Sequence, residues 1–274
     1  RRSSDLPELN KLFGHLGRLF RRLELSPKPY VAAINGLALG GGLEVAMACH
    51  ARVVLDDEKA VQLGLPEVKL GLLPGGGGTQ RLPRLVGAMA AAPLLLEGKT
   101  LRAQEALGLK VVDEVVAPGG CIDACKAWIK NGGEGIAPWD RKDFKIPGGA
   151  VWSPGGVQVF IMGNAMVRKS TYGNYPAQLN IMRAVYEGLQ VPMDAALRIE
   201  TRYFARTCLT PQATAMIRTL FQSMQALNKG AARPKDAAPT AVKKAAVLGA
   251  GMMGAGIAHA QALAGIETVL IDQT

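Results

Sequence analysis

The fold is decided by Pro29-Tyr-Val-Ala-Ala-Ile-Asn-Gly-Leu-Ala-Leu-Gly-Gly-Gly-Leu-Glu44. A short apolar run, Tyr30 to Ile34, meets the turn pair Asn35-Gly36. A glycine triplet then opens an apolar segment from about Leu43 to Cys49. The order is strand, turn, glycine loop, helix. A second strand is expected over Arg52–Leu55. A strand-and-loop segment, Val61 to Leu73, then runs into Pro74 and four glycines, Gly75 to Gly78. A helix from Thr79, helices over about 86–96 and 103–108, and a strand near Val111–Val116 continue the alternation, which argues for an α/β fold with a mostly parallel sheet. Upstream, residues 6–24 have helical periodicity. Leu9, Phe13, Leu16, Phe20 and Leu23 share one face, with Lys11, Arg18, Arg21 and Arg22 elsewhere, and Pro27 and Pro29 end the helix.

Beyond residue 119 the character changes. Asn131–Gly135 and Ile146–Gly149 read as loops, followed by helical stretches over about 156–169, 176–189, 192–206 and 211–228. Gly230 to Thr240, with Pro234 and Pro239, reads as a linker, and the composition break puts a domain boundary near 235–241. A new unit follows. A strand from Lys243 leads into Gly249-Ala-Gly251-Met-Met-Gly254, then a helix to Ala264, Gly265 as its cap, and a strand Glu267–Ile271 ending at Asp272. G-x-G-x-x-G alone is weak. Between a strand and a helix, with a second strand ending in Asp, it has the context of a dinucleotide site. Gly249 permits the tight turn, Gly251 lets a pyrophosphate approach, and Gly254 lets helix and strand pack closely. Met252 and Met253 open the helix whose N-terminus would face the phosphates. Asp272 would accept from the adenosine ribose and repel a 2′-phosphate, which favours NAD over NADP. Without a nucleotide, the same residues are a glycine-rich strand–helix turn.

The 274 residues are 49% hydrophobic, enough for one or two domains with a real core, and carry a formal net charge of +10. A basic surface favours anionic partners, among them nucleic acid, CoA and NAD. No RNA-recognition, zinc-finger or aromatic-platform pattern supports nucleic acid, and a merely solvated basic surface accounts for the charge equally well. Four cysteines, Cys49, Cys121, Cys125 and Cys208, in a chain of ordinary composition suggest reduced thiols and a cytoplasmic location. The three histidines form no cluster, so no metal site is expected. The apolar stretch Tyr30–Cys49 contains Asn35, three glycines and Glu44 and does not read as a membrane span. No signal or transit peptide is visible.

Two glutamates stand out. Glu44 is the only acidic or basic residue between Tyr30 and His50, and Glu67 follows Gly64-Leu-Pro66. A carboxylate beside a glycine turn is most often a solvated helix-start residue. One set among apolar residues needs partners or a raised pKa, which is the environment of catalytic acids and bases. The glycine triplet leaves bare backbone N–H groups suited to a developing oxyanion. Gly75–Gly78 is expected near the same site, without an assigned chemical role.

These residues resemble the enoyl-CoA hydratase (crotonase) superfamily. The resemblance lies in Pro29–Glu44 and in Gly64-Leu-Pro-Glu-Val-Lys-Leu-Gly-Leu-Leu-Pro-Gly-Gly-Gly-Gly-Thr-Gln-Arg-Leu82. Pro138-Trp-Asp, Lys145–Gly149, Asn174-Tyr-Pro and Ala184-Val-Tyr-Glu-Gly188 resemble the multifunctional fatty-acid oxidation proteins, in which a hydratase is fused through helices to a 3-hydroxyacyl-CoA dehydrogenase. The resemblance implies a partial ClpP/crotonase-like domain over 1–135, crotonase C-terminal and linker helices over 136–240, and the first βαβ unit of an NAD-binding Rossmann fold over 241–274. It implies that Gly41 donates its N–H to the thioester oxygen of an acyl-CoA, Glu44 activates the water that attacks the β-carbon, and Glu67 delivers a proton to the α-carbon. A thiolase subunit is the implied partner.

The family's second oxyanion donor comes from an upstream Ala-Gly-Ala-Asp-like segment that this sequence lacks, so the chain reads as truncated at both ends. The dehydrogenase's own acid/base residues cannot be named. Three other readings stay open: a non-catalytic acyl-CoA-binding module, a crotonase-fold enzyme of other chemistry (isomerase, thioester hydrolase or dehalogenase), and a nucleic-acid binder.

Overall fold

The computed structural model describes residues 6–234 and 241–273. The part of the expected linker from 235 to 240, where the domain boundary was placed, lies outside the described residues. The chain forms two compact units, Arg1–Gln225 and Ala226–Thr274.

In the first unit, helix α1 (Leu6–Glu24) precedes strands β1 (Val31–Ile34) and β2 (Leu37–Leu39), helix α2 (Gly41–Met47), and strands β3 (Ala51–Leu55) and β4 (Gln62–Gly64). A 3-10 turn (Pro66–Leu70) leads to helices α3 (Gly78–Val86) and α4 (Ala88–Leu96). Strand β5 (Thr100–Leu101), helix α5 (Ala103–Gly108), strand β6 (Glu114–Val116) and helix α6 (Cys121–Lys130) follow. The strands form two three-stranded sheets, β1-β3-β6 and β2-β4-β5. All pairs are parallel except β4 with β5, in register Leu63↔Leu101. The sequence expectation of one mostly parallel sheet thus resolves into two. The turn at Asn35-Gly36 passes the chain from the first sheet to the second, and β2 and β5, at three and two residues, are too short to leave a periodic signal.

Helices α7 (Pro154–Thr171), α8 (Pro176–Gly188) and α9 (Met193–Cys208) belong to the same compact unit. Local chemistry starts them well. Pro sits in the first turn of α7 and α8, and the Ser153 hydroxyl accepts from Gly156 N–H at 3.2 Å. The stretch expected as one helix over 211–228 is α10 (Pro211–Met216), a π-helical segment (Ile217–Ser223) and α11 (Met224–Asn228). Helix α6 was not anticipated, although Cys121 and Cys125, one turn apart, both point inward. The shared core joins the sheets to the helices through Ile34, Met47, Val54, Leu63, Leu65, Leu73, Leu82, Leu95 and Ile181, all buried.

Helix α1 departs from its expected face. Leu16 is exposed, while Gly14, Gly17, Phe20, Arg21 and Glu24 turn inward. On that face a Cβ on Gly14 would meet Thr201 Cγ2 of α9 at 3.5 Å, an ordinary contact, and one on Gly17 would meet nothing within 4 Å. Arg21, expected off the apolar face, is buried. Its guanidinium pairs with Asp140 at 2.6 Å, Glu24 at 3.0 Å and Asp194 at 2.9 Å. Glu24, 1% exposed, also accepts from Arg81 Nε at 2.6 Å, and Arg81 is fully buried.

In the second unit, strand β7 (Lys244–Leu248), helix α12 (Met252–Leu263) and strand β8 (Glu267–Ile271) form a βαβ unit, the strands parallel in register Lys244↔Glu267.

Removing one partner of a buried ion pair leaves an uncompensated charge, at a cost of about 3–5 kcal/mol. Glu24→Ala strands Arg81, so its unfolding free energy falls by roughly that amount, measured by urea denaturation. An unchanged midpoint contradicts the pairing.

Candidate active site

Gly40, at φ +57°, turns the chain sharply out of β2, and α2 begins at Gly41, two residues before the sequence expectation. The turn's hydrogen bonds run from Leu43 and Glu44 N–H to Gly40 O, at 2.9 and 3.0 Å. Gly41 and Gly42 N–H are therefore first-turn donors of the helix without a partner among the described residues. Both glycines are exposed, with open space where a Cβ would stand.

Glu44 lies one turn into α2 and is 3% exposed. Its Oε1 accepts from Gly76 N–H and Gly78 N–H, each at 2.8 Å. No protein donor among the described residues reaches its Oε2. Burial raises the Glu44 carboxyl above its ordinary range. The two N–H donors and the charge of Arg81 oppose that and favour the anion. The glycine loop thus acquires the role that sequence reading left unassigned: it is a backbone cradle for Glu44. A Cβ on Gly76 would stand 2.8 Å from Glu44 Oε2, and one on Gly78 2.9 Å from Oε1.

Glu67 sits in the 3-10 turn behind Pro66, on the other side of Gly40, whose absent Cβ would lie 3.0 Å from Glu67 Oε1. Its Oε2 is buried without a hydrogen-bond partner among the described residues. Burial, then the charge of Glu44, push its carboxyl up to about 8, against the pull of a hydrogen bond from its own backbone N–H. The two sequence-predicted glutamates are therefore neighbours in different environments, one held by two loop N–H groups and one with a single local donor.

A third carboxylate escaped sequence reading. Glu200, on α9 and 1% exposed, accepts from Gly77 N–H at 2.6 Å, Thr79 N–H at 2.9 Å and Thr79 Oγ at 2.6 Å. Burial and the charge of Glu44 push it up to about 8. A signal was present. Ala196, Leu197, Tyr203 and Phe204 flank Glu200 at helical spacings of three and four, which sets a carboxylate on an apolar stripe.

In the second unit, Gly249 takes φ +98°. The first internal bond of α12 runs from Ala255 N–H to Gly251 O, which leaves Met252, Met253 and Gly254 N–H at the open end of the helix. Gly251 faces open space, and a Cβ on Gly254 would overlap Gly249 O. Asp272 follows β8, exposed, with Oδ2 accepting from Ala250 N–H at 2.9 Å. Open donors, a clear approach at Gly251 and a carboxylate at the strand end fit a dinucleotide. Among the described residues, no group of three metal-ligating side chains is assembled, and no helix is long and apolar enough to cross a membrane.

Residues 10–131 match the family Enoyl-CoA hydratase/isomerase, and residues 244–274 match 3-hydroxyacyl-CoA dehydrogenase, NAD binding domain. The first of these segments covers under half of the chain. Glu44, Glu67 and the glycine loop all fall in that segment; Glu200 lies outside it. The chain is 41% identical over 242 residues to the fatty acid oxidation complex subunit alpha of Vibrio parahaemolyticus, across 88% of this chain and 33% of that protein. It is 40% identical over 253 residues to the subunit of the same name from Vibrio vulnificus, across 92% and 35%. The chain thus spans about a third of the length of these curated relatives. A solved structure from Streptomyces avermitilis, described as an enoyl-CoA hydratase, superposes with a TM-score of 0.51 at 21% identity, over 76% of this chain and 60% of that one. It shares the crotonase fold.

Glu67 titrates near 8 in the folded protein against an ordinary 4.5. Between those values the folded state holds a proton that the unfolded chain has released, so stability falls as pH rises through the window and levels off above it. Urea midpoints between pH 5 and 9 follow that slope, and Glu67→Gln reduces it. Glu200 contributes with the same sign, so a remainder stays. Midpoints that climb with pH contradict the assignment.

Proposed function

We propose that the first unit carries a site that hydrates 2-enoyl-CoA thioesters to 3-hydroxyacyl-CoA in fatty-acid β-oxidation. The observation that carries the reading is the contrast between the two glutamates. Neighbouring carboxylates with opposed environments divide into a base and an acid. Glu44, with Oε1 held by two N–H donors and Oε2 free, is the base: Oε2 takes a proton from the water whose oxygen bonds to the β-carbon. Glu67, with Oε2 unpartnered among the described residues and its carboxyl pushed up, carries the proton that goes to the α-carbon. The electron pair of the double bond passes through an enolate whose oxygen accepts from Gly41 N–H. The product holds one new C–O and one new C–H bond. Glu44 ends protonated and Glu67 ionised, and proton exchange with water resets both.

The domain assignment 1–135, 136–240 and 241–274 is part of this reading. In the second unit, Gly249, Gly251 and Gly254, the N–H groups of Met252 and Met253, and Asp272 would hold NAD. When bound, it would supply the hydride acceptor for oxidising the 3-hydroxyacyl product to 3-ketoacyl-CoA. The relatives are named as subunits of a fatty acid oxidation complex. A thiolase subunit, which consumes the ketoacyl product, is the partner we propose, in the cytoplasm.

The test follows the loss of 2-enoyl thioester absorbance in the intact protein beside Glu44→Gln and Glu67→Gln. Each variant falls by ~10²–10⁴-fold. The pH profile of kcat/KM is bell-shaped, with an alkaline limb near 8 as Glu67 loses its proton, and Glu67→Gln removes that limb. Binding of acyl-CoA without turnover overturns the hydratase reading in favour of a binding module.

For the second unit, NADH fluorescence on titration of the intact protein reports binding. Gly251→Val places a side chain where the pyrophosphate approaches and weakens NADH binding at least ~10-fold. Equal affinity of the variant removes the assignment.

A further inference from the structure

The loop between Pro74 and α3 serves two carboxylates in alternation. Gly76 and Gly78 N–H donate to Glu44, and Gly77 and Thr79 N–H donate to Glu200. Thr79 Oγ adds a third donor to Glu200, and Gln80 Nε2 donates to Thr79 Oγ at 3.0 Å. The Gly76 carbonyl is held from behind by Arg81 at 2.7 Å. Gly77, at φ +110°, has no side chain to lock its conformation. The loop is fixed by the pair of carboxylates and the Arg81 contact, together with the Gly77 carbonyl, which accepts from Gln80 N–H at 3.0 Å and Arg81 N–H at 2.8 Å as α3 begins.

We propose that Glu200 is a positioning residue for Glu44: by gripping Gly77 and Thr79 it holds the loop in the conformation that presents Gly76 and Gly78 N–H to Glu44 Oε1. The catalytic part of the inference rests on the hydratase reading. The positional part does not. No hydrogen bond joins Glu200 to Glu44 among the described residues. Its grip on the loop is through Gly77 and Thr79 N–H and Thr79 Oγ, beside the mutual repulsion of the two acids, and it comes from a helix outside the segment that matches the hydratase family.

Glu200→Gln tests it. Two backbone N–H groups converge on the two carboxylate oxygens, and an amide offers an acceptor at only one of them. The other N–H meets an NH₂ group, so the loop moves. A loss of alignment of this size lowers kcat by ~10²-fold while KM stays within about twofold, because no substrate contact is lost. A role in stability alone lowers the melting temperature and leaves kcat of the folded enzyme unchanged, and that result overturns the proposal.

A second readout needs no turnover. With ¹³C-labelled glutamate side chains, the Glu44 carboxyl is titrated by NMR in the parent and in the variant. Loss of the two N–H donors raises its midpoint. A purely electrostatic effect of removing a neighbouring acid lowers it or leaves it in place, and either of those outcomes overturns the proposal. An upward shift in a protein that hydrates no enoyl-CoA supports positioning while refuting the hydratase reading, so the two failures are distinct. Should Glu200→Gln not fold, Thr79→Val removes one donor from Glu200 and leaves every backbone N–H in place. It shifts kcat and the Glu44 midpoint in the same directions by a smaller amount, and no shift in either overturns the proposal.

Discussion

Four consecutive backbone N–H groups, Gly76 to Thr79, are divided between two carboxylates inside an apolar interior. An isolated buried carboxylate is very costly, and only converging donors or an opposite charge make it tolerable. Here each acid has two N–H groups of the same loop. The arrangement dictates the composition of that loop. At Gly75 a Cβ would strike the Phe204 ring at 2.7 Å, and at Gly76 and Gly78 it would crowd Glu44. Gly77 takes a positive φ and lies against Arg81. Four glycines in a row are thus required by three neighbours, Phe204, Glu44 and Arg81.

The positive complement is Arg81. It reaches Glu24 at the end of α1 and the Gly76 carbonyl in the loop, and its charge favours the anionic forms of both Glu44 and Glu200. Through Glu24 the chain of charge continues to Arg21 and on to Asp140 and Asp194. One connected polar network therefore ties α1, the start of α3, the Pro138–Asp140 turn and α9 around the loop. Such networks are cooperative, and their members do not contribute independently.

Much of this was legible in the chain. Glu44 stood out as a lone charge in an apolar run, and Glu67 as a carboxylate behind a proline-shaped turn. The glycine motif of the second unit declared itself by its flanking strands. Arg21 and Glu200 stayed hidden for a common reason. Each is a charged residue on a helix rich in charges; the apolar stripe around Glu200 hints at its burial, but the partners that make burial tolerable come only from tertiary packing. The buried face of α1 holds Gly14, Gly17, Phe20 and Arg21, and Arg21 is held there by its carboxylate partners Glu24, Asp140 and Asp194. Periodicity weighs side chains by hydrophobicity, so it gave that face to Leu16 instead. The short strands β2 and β5 were missed because two or three residues carry no period.

Glu200 stands 121 and 123 residues along the chain from the loop it holds. On a ribosome adding about 5–20 residues per second, it is made roughly 6–25 s after the loop. Throughout that interval Glu44 and the glycines exist, but Gly77 and Thr79 have only water to bond. Contacts of this separation also close last in refolding, because loop closure must precede them. The geometry around Glu44 is therefore a late product of biosynthesis, withheld from the nascent chain until its helical part has been made.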